Sequence, residues 1–543
     1  MQGHPIRLLI LDVDGTIVTA DKRLLPEVKL AVRFARECGL SVSLATGRMF
    51  KAVAGWAREM ELDTPQICNN GADLIDPVSG RYVDKLTLDG AVAAQVLEFG
   101  RKAGVTIAKF SGDRVLVPQR TPDHWLIERN NEPIEVVSSD ELLSADTPAE
   151  KVLFLDREAP GRVARLREEL VRHFAHDGKL PFLAEITEPG ILNICHPGAS
   201  KAQALPKLCA LLGIEREQVA AVGDSDNDAE LLGMVGLGIA MGNATAAVRR
   251  AAKIQVPDNE QIGIVTAICE HVLQGVTLRG SGLLAVKLRT LRLALRGYPA
   301  AVVAFSGGVD STLVLRLASE ELGNRLLAVT ARSAVLPPAD FAAACALAAD
   351  LHVRHLVVET DAQNEEWYRD NPPDRCYVCK KNFFTRLTRI AAEQGLGTVL
   401  DGENADDLAA DRPGRLAAHE CGVRSPLAEA GISKAEVRAI SRELGLPNWD
   451  RPANACLATR FPRGDRLTAE RLERVARAEE FLHGLGFGQL RVRVHGDLAV
   501  IEVPPADLSR LMERAAEIAH GIRSRGFRRV TLDLEGYRSG SMD

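Results

Sequence analysis

Ala300-Ala-Val-Val-Ala-Phe-Ser306-Gly307-Gly308-Val309-Asp310-Ser311 is the stretch that decides the reading of this chain. The apolar run 300–305 has the length and composition of a buried β-strand, and the apolar-periodic residues from Thr312 to Ala318 open a helix. Between them stand glycines and hydroxyls. Glycine lets a backbone come close to an anion, and the amide hydrogens of such a turn, with the helix N-terminus behind them, face phosphate oxygens. The spacing is not G-x-x-x-x-G-K-[ST], because no lysine follows the second glycine. A strand–loop–helix of this kind places Ser306, Gly307, Gly308, Asp310 and Ser311 around the oxygens of a phosphate.

At 543 residues the chain exceeds what one core can organise. Strand patterns at 326–330, 355–358 and 398–401 alternate with helices, so the decisive strand sits in a parallel sheet. A second α/β region precedes it, with strands at 6–11, 41–45 and 220–222. Between 83 and 188 its parallel-sheet rhythm is lost, which predicts an inserted α+β cap. The expected organisation is a core of residues 1–82 and 189–273, the cap 83–188, a glycine-rich linker 274–283, a nucleotide domain 284–465 and a small α+β module 466–543. The fold class is therefore α/β, with two doubly wound parallel-sheet domains and a short C-terminal α+β module.

The net charge of −6 speaks against a dominant nucleic-acid surface. No apolar stretch reaches membrane-spanning length, and the N-terminus runs into a strand without a signal-peptide segment. Most of the ten cysteines stand singly among apolar residues (Cys38, Cys209, Cys269, Cys345), as in a reducing cytoplasm.

The first strand ends in Asp12-Val-Asp14-Gly15-Thr16. Carboxylates at i and i+2 after a parallel strand project into the crevice where open sheets bind ligands; one can attack phosphorus and the other can protonate the leaving oxygen. Alone, the motif reads equally well as a turn. Three further pieces follow in order: Thr46-Gly47-Arg48, Lys201 after Gly198-Ala199-Ser200, and Gly223-Asp224-Ser225-Asp226-Asn227-Asp228. The set resembles the haloacid dehalogenase superfamily, in particular its Cof-like phosphatases. The resemblance implies Asp12 as nucleophile, Asp14 as acid/base, Thr46 and Lys201 on the phosphoryl oxygens, and Mg²⁺ held by Asp12, Asp14, Asp224 and Asp228. Its substrate would be a phosphorylated small molecule, which the sequence does not name.

In the second half, Asn371-Pro-Pro-Asp-Arg375-Cys376-Tyr-Val-Cys379-Lys380 carries a C-x-x-C. Two thiolates at that spacing suit half a zinc site, a redox or sulfur-carrying pair, or, joined by Cys456, a [4Fe–4S] cluster with one open iron. Ser306–Ser311 is similar to the loop of PP-loop ATP pyrophosphatases, which split ATP to AMP and pyrophosphate. With Asp401-Gly-Glu403-Asn404, Arg412-Pro-Gly414, Ser425-Pro-Leu427, Cys456-Leu-Ala-Thr459-Arg460 and the tail 535–542, the half closely resembles the LarE family of ATP-dependent sulfur transferases. That resemblance implies adenylation of pyridinium-3,5-biscarboxylic acid mononucleotide, Mg²⁺ near Asp310, and sulfur drawn either from Cys456 itself or from a cluster on Cys376, Cys379 and Cys456. Arg460, Arg491 and Arg493 are expected to hold the substrate phosphate, and the two strand arginines read equally well as a solvated face. A homo-oligomer is expected. The rival reading is a tRNA thiolase fused to a general sugar- or nucleotide-phosphate phosphatase, and it lacks an obvious RNA-binding surface.

Overall fold

Leu8–Leu11 is four apolar residues with no side-chain exposure, and it lies inside a five-stranded parallel sheet. The computed structural model describes residues 6–176, 179–360, 365–408, 413–452 and 455–537. These divide into two units, Met1–Arg289 and Thr290–Asp543.

In the first unit the sheet runs Ile254–Gln255, Leu237–Ala240, Val219–Gly223, Leu8–Leu11, Ser41–Leu44. Strands covered on both faces read as unbroken apolar runs rather than as alternation, and these do. From Leu8–Leu11 the chain crosses to Ser41–Leu44 on one side and is joined by Val219–Gly223 on the other. The crevice beyond the C-terminal ends of those strands is the ligand position of such sheets.

The inserted cap is a six-stranded sheet in the order Leu183–Glu188, Ile191–Cys195, Lys151–Leu155, Thr106–Ser111, Arg114–Val117, Ile134–Val136. All pairs are antiparallel except the last. Because Ile191–Cys195 pairs within this sheet, the cap extends past residue 188, where the sequence placed its end. Strand alternation gives it two unlike faces. Val152, Phe154, Leu192 and Ile194 pack under the helices Gly90–Lys102 and Pro160–Phe174, while Leu153 and Ile191 turn to the other side. The outgoing and returning connections meet: Leu86, Cys195 and Ala199 all rest on Ala72, and Leu86 N donates to Ala72 O at 2.7 Å.

The helix Gly280–Arg296 starts inside the segment read as a linker. Gly282 there serves packing: a Cβ on it would lie 2.4 Å from the Phe34 ring. The second unit holds a parallel sheet, His355–Glu359, Leu326–Arg332, Ala301–Ala304, Thr398–Leu400. Its C-terminal module pairs Arg491–His495 antiparallel with Leu498–Glu502, which pairs parallel with Arg529–Leu532. Leu472, Val475 and Leu482 of the helix Ala469–Gly484, with Ile518 and Ile522, bury against that sheet. Each such side chain contributes about 1.5–3 kcal/mol. Among the described residues no helix is long and apolar enough to cross a membrane.

Candidate functional site

In the first unit, strand ends deliver the acidic groups. Asp12 and Asp14 follow Leu8–Leu11, and Asp224 and Asp228 follow Val219–Gly223. Lys201 is the first residue of the helix Lys201–Leu212, which Ser200 caps. Its Nζ lies 2.6 Å from Asp12 Oδ1 and 2.7 Å from Asp228 Oδ1, with the lysine 1% exposed. Carboxylate oxygens of Asp12, Asp224 and Asp228 lie within 4.8 Å of one another. Burial pushes Asp12 well above the usual carboxylate range against the pull of Lys201, and the charges of Asp228 and Asp224 add to it. Burial and then Asp228 lift Asp224 to about 6. Burial alone would lower Lys201, but Asp12 and Asp228 raise it above its ordinary value. Asp12 and Asp224, which resist ionisation, crowd against Asp228, and three such carboxylates fit a hard divalent cation, which offsets the repulsion. Gly15 is required here, since its φ is +78° and a Cβ would stand 2.3 Å from Asp224 Oδ2.

Asp14 is held differently. Burial raises it, yet hydrogen bonds and charge from Arg48, then from Lys22, bring it below its ordinary value. Thr46 is buried, and its Oγ1 accepts from Arg48 N at 3.2 Å. The cap meets this loop directly: Lys151 Nζ donates to Gly47 O at 2.7 Å, Arg48 Nη1 to Asn130 O at 3.2 Å, and Met49 N to Glu132 Oε1 at 3.1 Å. Core and cap enclose a cavity of about 430 Å³ lined by Asp12, Asp14, Thr46 and Lys201.

In the second unit the loop after Ala301–Ala304 closes on itself. Ser306 Oγ and Ser311 Oγ are 3.1 Å apart, and Gly308 N donates to Ser306 Oγ at 3.3 Å. Asn448 Nδ2 donates to Gly307 O at 3.0 Å and to Thr312 Oγ1 at 2.9 Å. Asp310, in the first turn of Val309–Leu322, accepts from Asn404 Nδ2 at 3.2 Å and pairs with Lys434. A cavity of about 220 Å³ beside the loop is lined by Ser306, Thr330, Ser333, Phe383 and Cys456.

Cys376 and Cys379 open the helix Arg375–Glu393. Buried Arg375 ties it to the Cys456 segment by donating to Ala458 O at 3.3 Å. Cys379 and Cys456 rest on one apolar core, and burial, then the charges of Cys456 and Cys376, push Cys379 up to about 11. Neighbouring cysteines of this kind suit a cation or cluster that takes thiolates. Among the described residues the carboxylate triad is the one group of three with ligand atoms all within 4.8 Å of one another, so the three sulfurs do not all lie that close together.

The haloacid dehalogenase-like hydrolase model matches residues 9–268, and the asparagine synthase model matches 289–489. The chain is 45% identical over 263 residues to an uncharacterised Synechocystis protein, covering 48% of this chain and 98% of that one. It is 42% identical over 261 residues to the pyridinium-3,5-bisthiocarboxylic acid mononucleotide synthase of Lactiplantibacillus plantarum, covering 48% and 95%. The chain belongs to the LarE family, fused to a haloacid dehalogenase-like hydrolase. The hydrolase unit is also 29% identical over 276 residues to the pyridoxal phosphate phosphatase of Escherichia coli, covering 49% of this chain and 99% of that one.

In the hydrolase unit Asp12, Asp14, Thr46 and Lys201 line one crevice, and Asp224 and Asp228 lie beside Asp12. In the LarE-type unit Ser306 and Cys456 share a cavity, with Cys376 and Cys379 close by. The two strand arginines do not form a solvated face, the alternative reading of them. Arg460, Arg491 and Arg493 are 0%, 7% and 6% exposed. Arg460 is held by Glu479 through two bonds of 2.8 and 2.9 Å, and Arg493 donates to Glu502 at 3.0 Å and to Thr459 O at 2.8 Å. Arg491 lies over the Tyr537 ring and lines a cavity of about 480 Å³ with Pro337, Arg451 and Glu479. Buried carboxylates thus occupy two of the three guanidiniums expected to hold phosphate.

Arg48 and Lys434 were not singled out from sequence. Lys434 begins a helix in a Ser433–Glu436 capping box, where a solvated lysine is ordinary, and 124 residues separate it from Asp310. Arg412 and residues 538–542, part of the motifs that carry the resemblance, lie outside the described residues.

Proposed function

We propose a bifunctional enzyme whose LarE-type unit adenylates pyridinium-3,5-biscarboxylic acid mononucleotide and replaces carboxylate oxygen by sulfur, and whose hydrolase unit is a Mg²⁺-dependent phosphomonoesterase. The observation that carries the first activity is the cavity bordered by both Ser306 and Cys456, which brings the nucleotide loop and a sulfur-bearing side chain to one space. A substrate carboxylate oxygen attacks the α-phosphorus of ATP, the α–β bridging bond breaks, and pyrophosphate leaves. Ser306, Ser311 and the loop amides hold the phosphates, and Lys434 supplies positive charge beside Asp310. Sulfur then adds to the acyl carbon and AMP departs with the carboxylate oxygen. Arg491 is the guanidinium proposed to meet the substrate phosphate.

Cys376, Cys379 and Cys456 are the residues that would hold a [4Fe–4S] cluster, which when bound supplies sulfide; without one, the sulfur is that of Cys456, whose Cβ–Sγ bond breaks by elimination after the thioester forms and leaves dehydroalanine in the chain. The product class agrees with the name of the Lactiplantibacillus relative.

In the hydrolase unit Asp12 attacks phosphorus, the leaving oxygen takes a proton from Asp14, and water, giving its proton to Asp14, releases phosphate from the aspartyl-phosphate. Asp12, Asp224 and Asp228 are the proposed Mg²⁺ site, and the cation supplies counter-charge to the phosphoryl oxygens.

The test is anaerobic turnover with ATP and the biscarboxylate nucleotide, read by mass for sulfur in the product, with iron and sulfide assayed on the same protein. No sulfur incorporation overturns the first activity, and colourless, iron-free, fully active protein overturns the cluster. Unchanged phosphate release by Asp12→Asn overturns the second activity.

A further inference from the structure

Two cavities of the LarE-type unit share a wall. The cavity of about 220 Å³ beside Ser306 and Cys456 and the cavity of about 480 Å³ at Arg491 are both lined by Pro337 and Asp340. Asp340 stands in the first turn of the helix Pro338–Asp350. Its carboxylate pairs with Arg451, which lines the larger cavity. Both side chains of this pair are half-buried, whereas Arg460 with Glu479 and Arg493 with Glu502 are buried.

Arg451 is also fixed relative to the nucleotide loop. Its N donates to Asn448 O at 3.1 Å, and Asn448 Nδ2 donates to Gly307 O at 3.0 Å. Arg438 Nη2 donates to Arg451 O at 2.9 Å, so the backbone here is held from two sides. The guanidinium itself is only partly used. Among the described residues its one bond runs from Nη2 to Asp340 Oδ1, which leaves Nε and Nη1 as donors. The other charged groups of the larger cavity are engaged or face solvent. Arg477 pairs with Glu473, Glu479 is bound to Arg460, and Glu480 is exposed. His483 Nδ1 lies 2.8 Å from Phe487 O.

A substrate with its phosphate at Arg491 and its reacting carboxylate beside Ser306 occupies both cavities. Its pyridinium ring then crosses the shared wall, where Arg451 stands. We propose that Arg451 holds the ring carboxylate that is not being adenylated, and thereby selects a dicarboxylate nucleotide over a monocarboxylate one. The inference rests on the adenylation reading of this unit. Asp340 keeps the guanidinium in place before substrate arrives, and a preset guanidinium loses less entropy for each hydrogen bond it forms. Half a turn of the ring about its glycosidic bond exchanges the two carboxylates. One guanidinium therefore serves both rounds of sulfur insertion.

The experiment measures Kd by titration calorimetry on the full chain with two nucleotides. One is pyridinium-3,5-biscarboxylic acid mononucleotide; the other is nicotinic acid mononucleotide, which keeps the phosphate and lacks one ring carboxylate. The wild type should bind the dicarboxylate about tenfold or more tightly than the monocarboxylate. Because Arg451→Ala alone would bare the Asp340 carboxylate, the arginine is tested in the Asp340→Asn background. Adding Arg451→Ala there should weaken the dicarboxylate about tenfold and the monocarboxylate by less than about twofold. Arg451→Lys in the same background, which keeps the charge, should recover part of the difference. An unchanged ratio on adding Arg451→Ala overturns the inference. Equal weakening of both nucleotides also overturns it, since that is the mark of a structural role. A wild type that binds both nucleotides equally overturns it without any variant and leaves the adenylation reading standing. A wild type that binds neither overturns the adenylation reading and the inference with it.

Discussion

Arg48 holds Asp14 by two parallel hydrogen bonds, Nε to Oδ2 and Nη2 to Oδ1, each 2.7 Å long. A guanidinium fork on a carboxylate favours the ionised form. The group proposed to protonate the leaving oxygen is therefore held without its proton until substrate enters. Arg48→Lys loses the fork and raises Asp14 toward its ordinary value. Since the acid must be protonated to act, the high-pH limb of the phosphatase rate profile moves to higher pH in the variant. A pH series of kcat for both proteins measures this, and a limb that stays in place or moves down counts against it.

Burial pushes Asp73 up to about 7, although Asn69 Nδ2 donates to it at 2.6 Å. A carboxylate with a raised folded value contributes stability below its unfolded value of about 4, lost as pH rises through about 7. Asp73→Asn mimics the protonated form. Its stability gain over wild type should grow from pH 5 to pH 8 and approach a few kcal/mol. Denaturant unfolding of the hydrolase unit at both pH values reads it.

Lys434→Ala leaves Asp310 without its ammonium partner. ATP-dependent AMP formation should fall about 10²-fold, as when one preorganised charge is removed from a transition state. Phosphatase activity of the same preparation should be unchanged.

Cys456→Ser keeps the cavity beside Ser306 and removes the sulfur. Pyrophosphate should still form with the biscarboxylate nucleotide as the acyl-adenylate builds up, while thiocarboxylate falls to background. Loss of both products together would instead assign Cys456 to the adenylation step.

Glu479→Ala leaves the guanidinium of fully buried Arg460 without its carboxylate. Breaking a buried ion pair from one side costs about 3–5 kcal/mol, so the unfolding transition of the LarE-type unit should move by that amount.

Residues that follow strand ends were legible from sequence. Asp12, Thr46 and Asp224 each come one or two residues after a buried apolar run, so the sheet itself assembles them. Lys201 was legible because Ser200 announces a helix start. Lys434 was not, since its partner is distant in sequence and its local pattern is that of any capped surface helix. The ion pairs of Arg460 and Arg493 were not legible, because the partners Glu479 and Glu502 come from another helix and another strand.

The meeting of Leu86, Cys195 and Ala199 on Ala72 makes the cap a cassette. Both of its seams with the core lie at one spot, so the segment between them can be lifted out and another spliced in without moving the strands that carry Asp12 and Asp224. Diversification of such a phosphatase is then a matter of exchanging the insert while the catalytic chassis stays fixed. The same two seams are the natural cut points for grafting a cap of chosen selectivity onto this core.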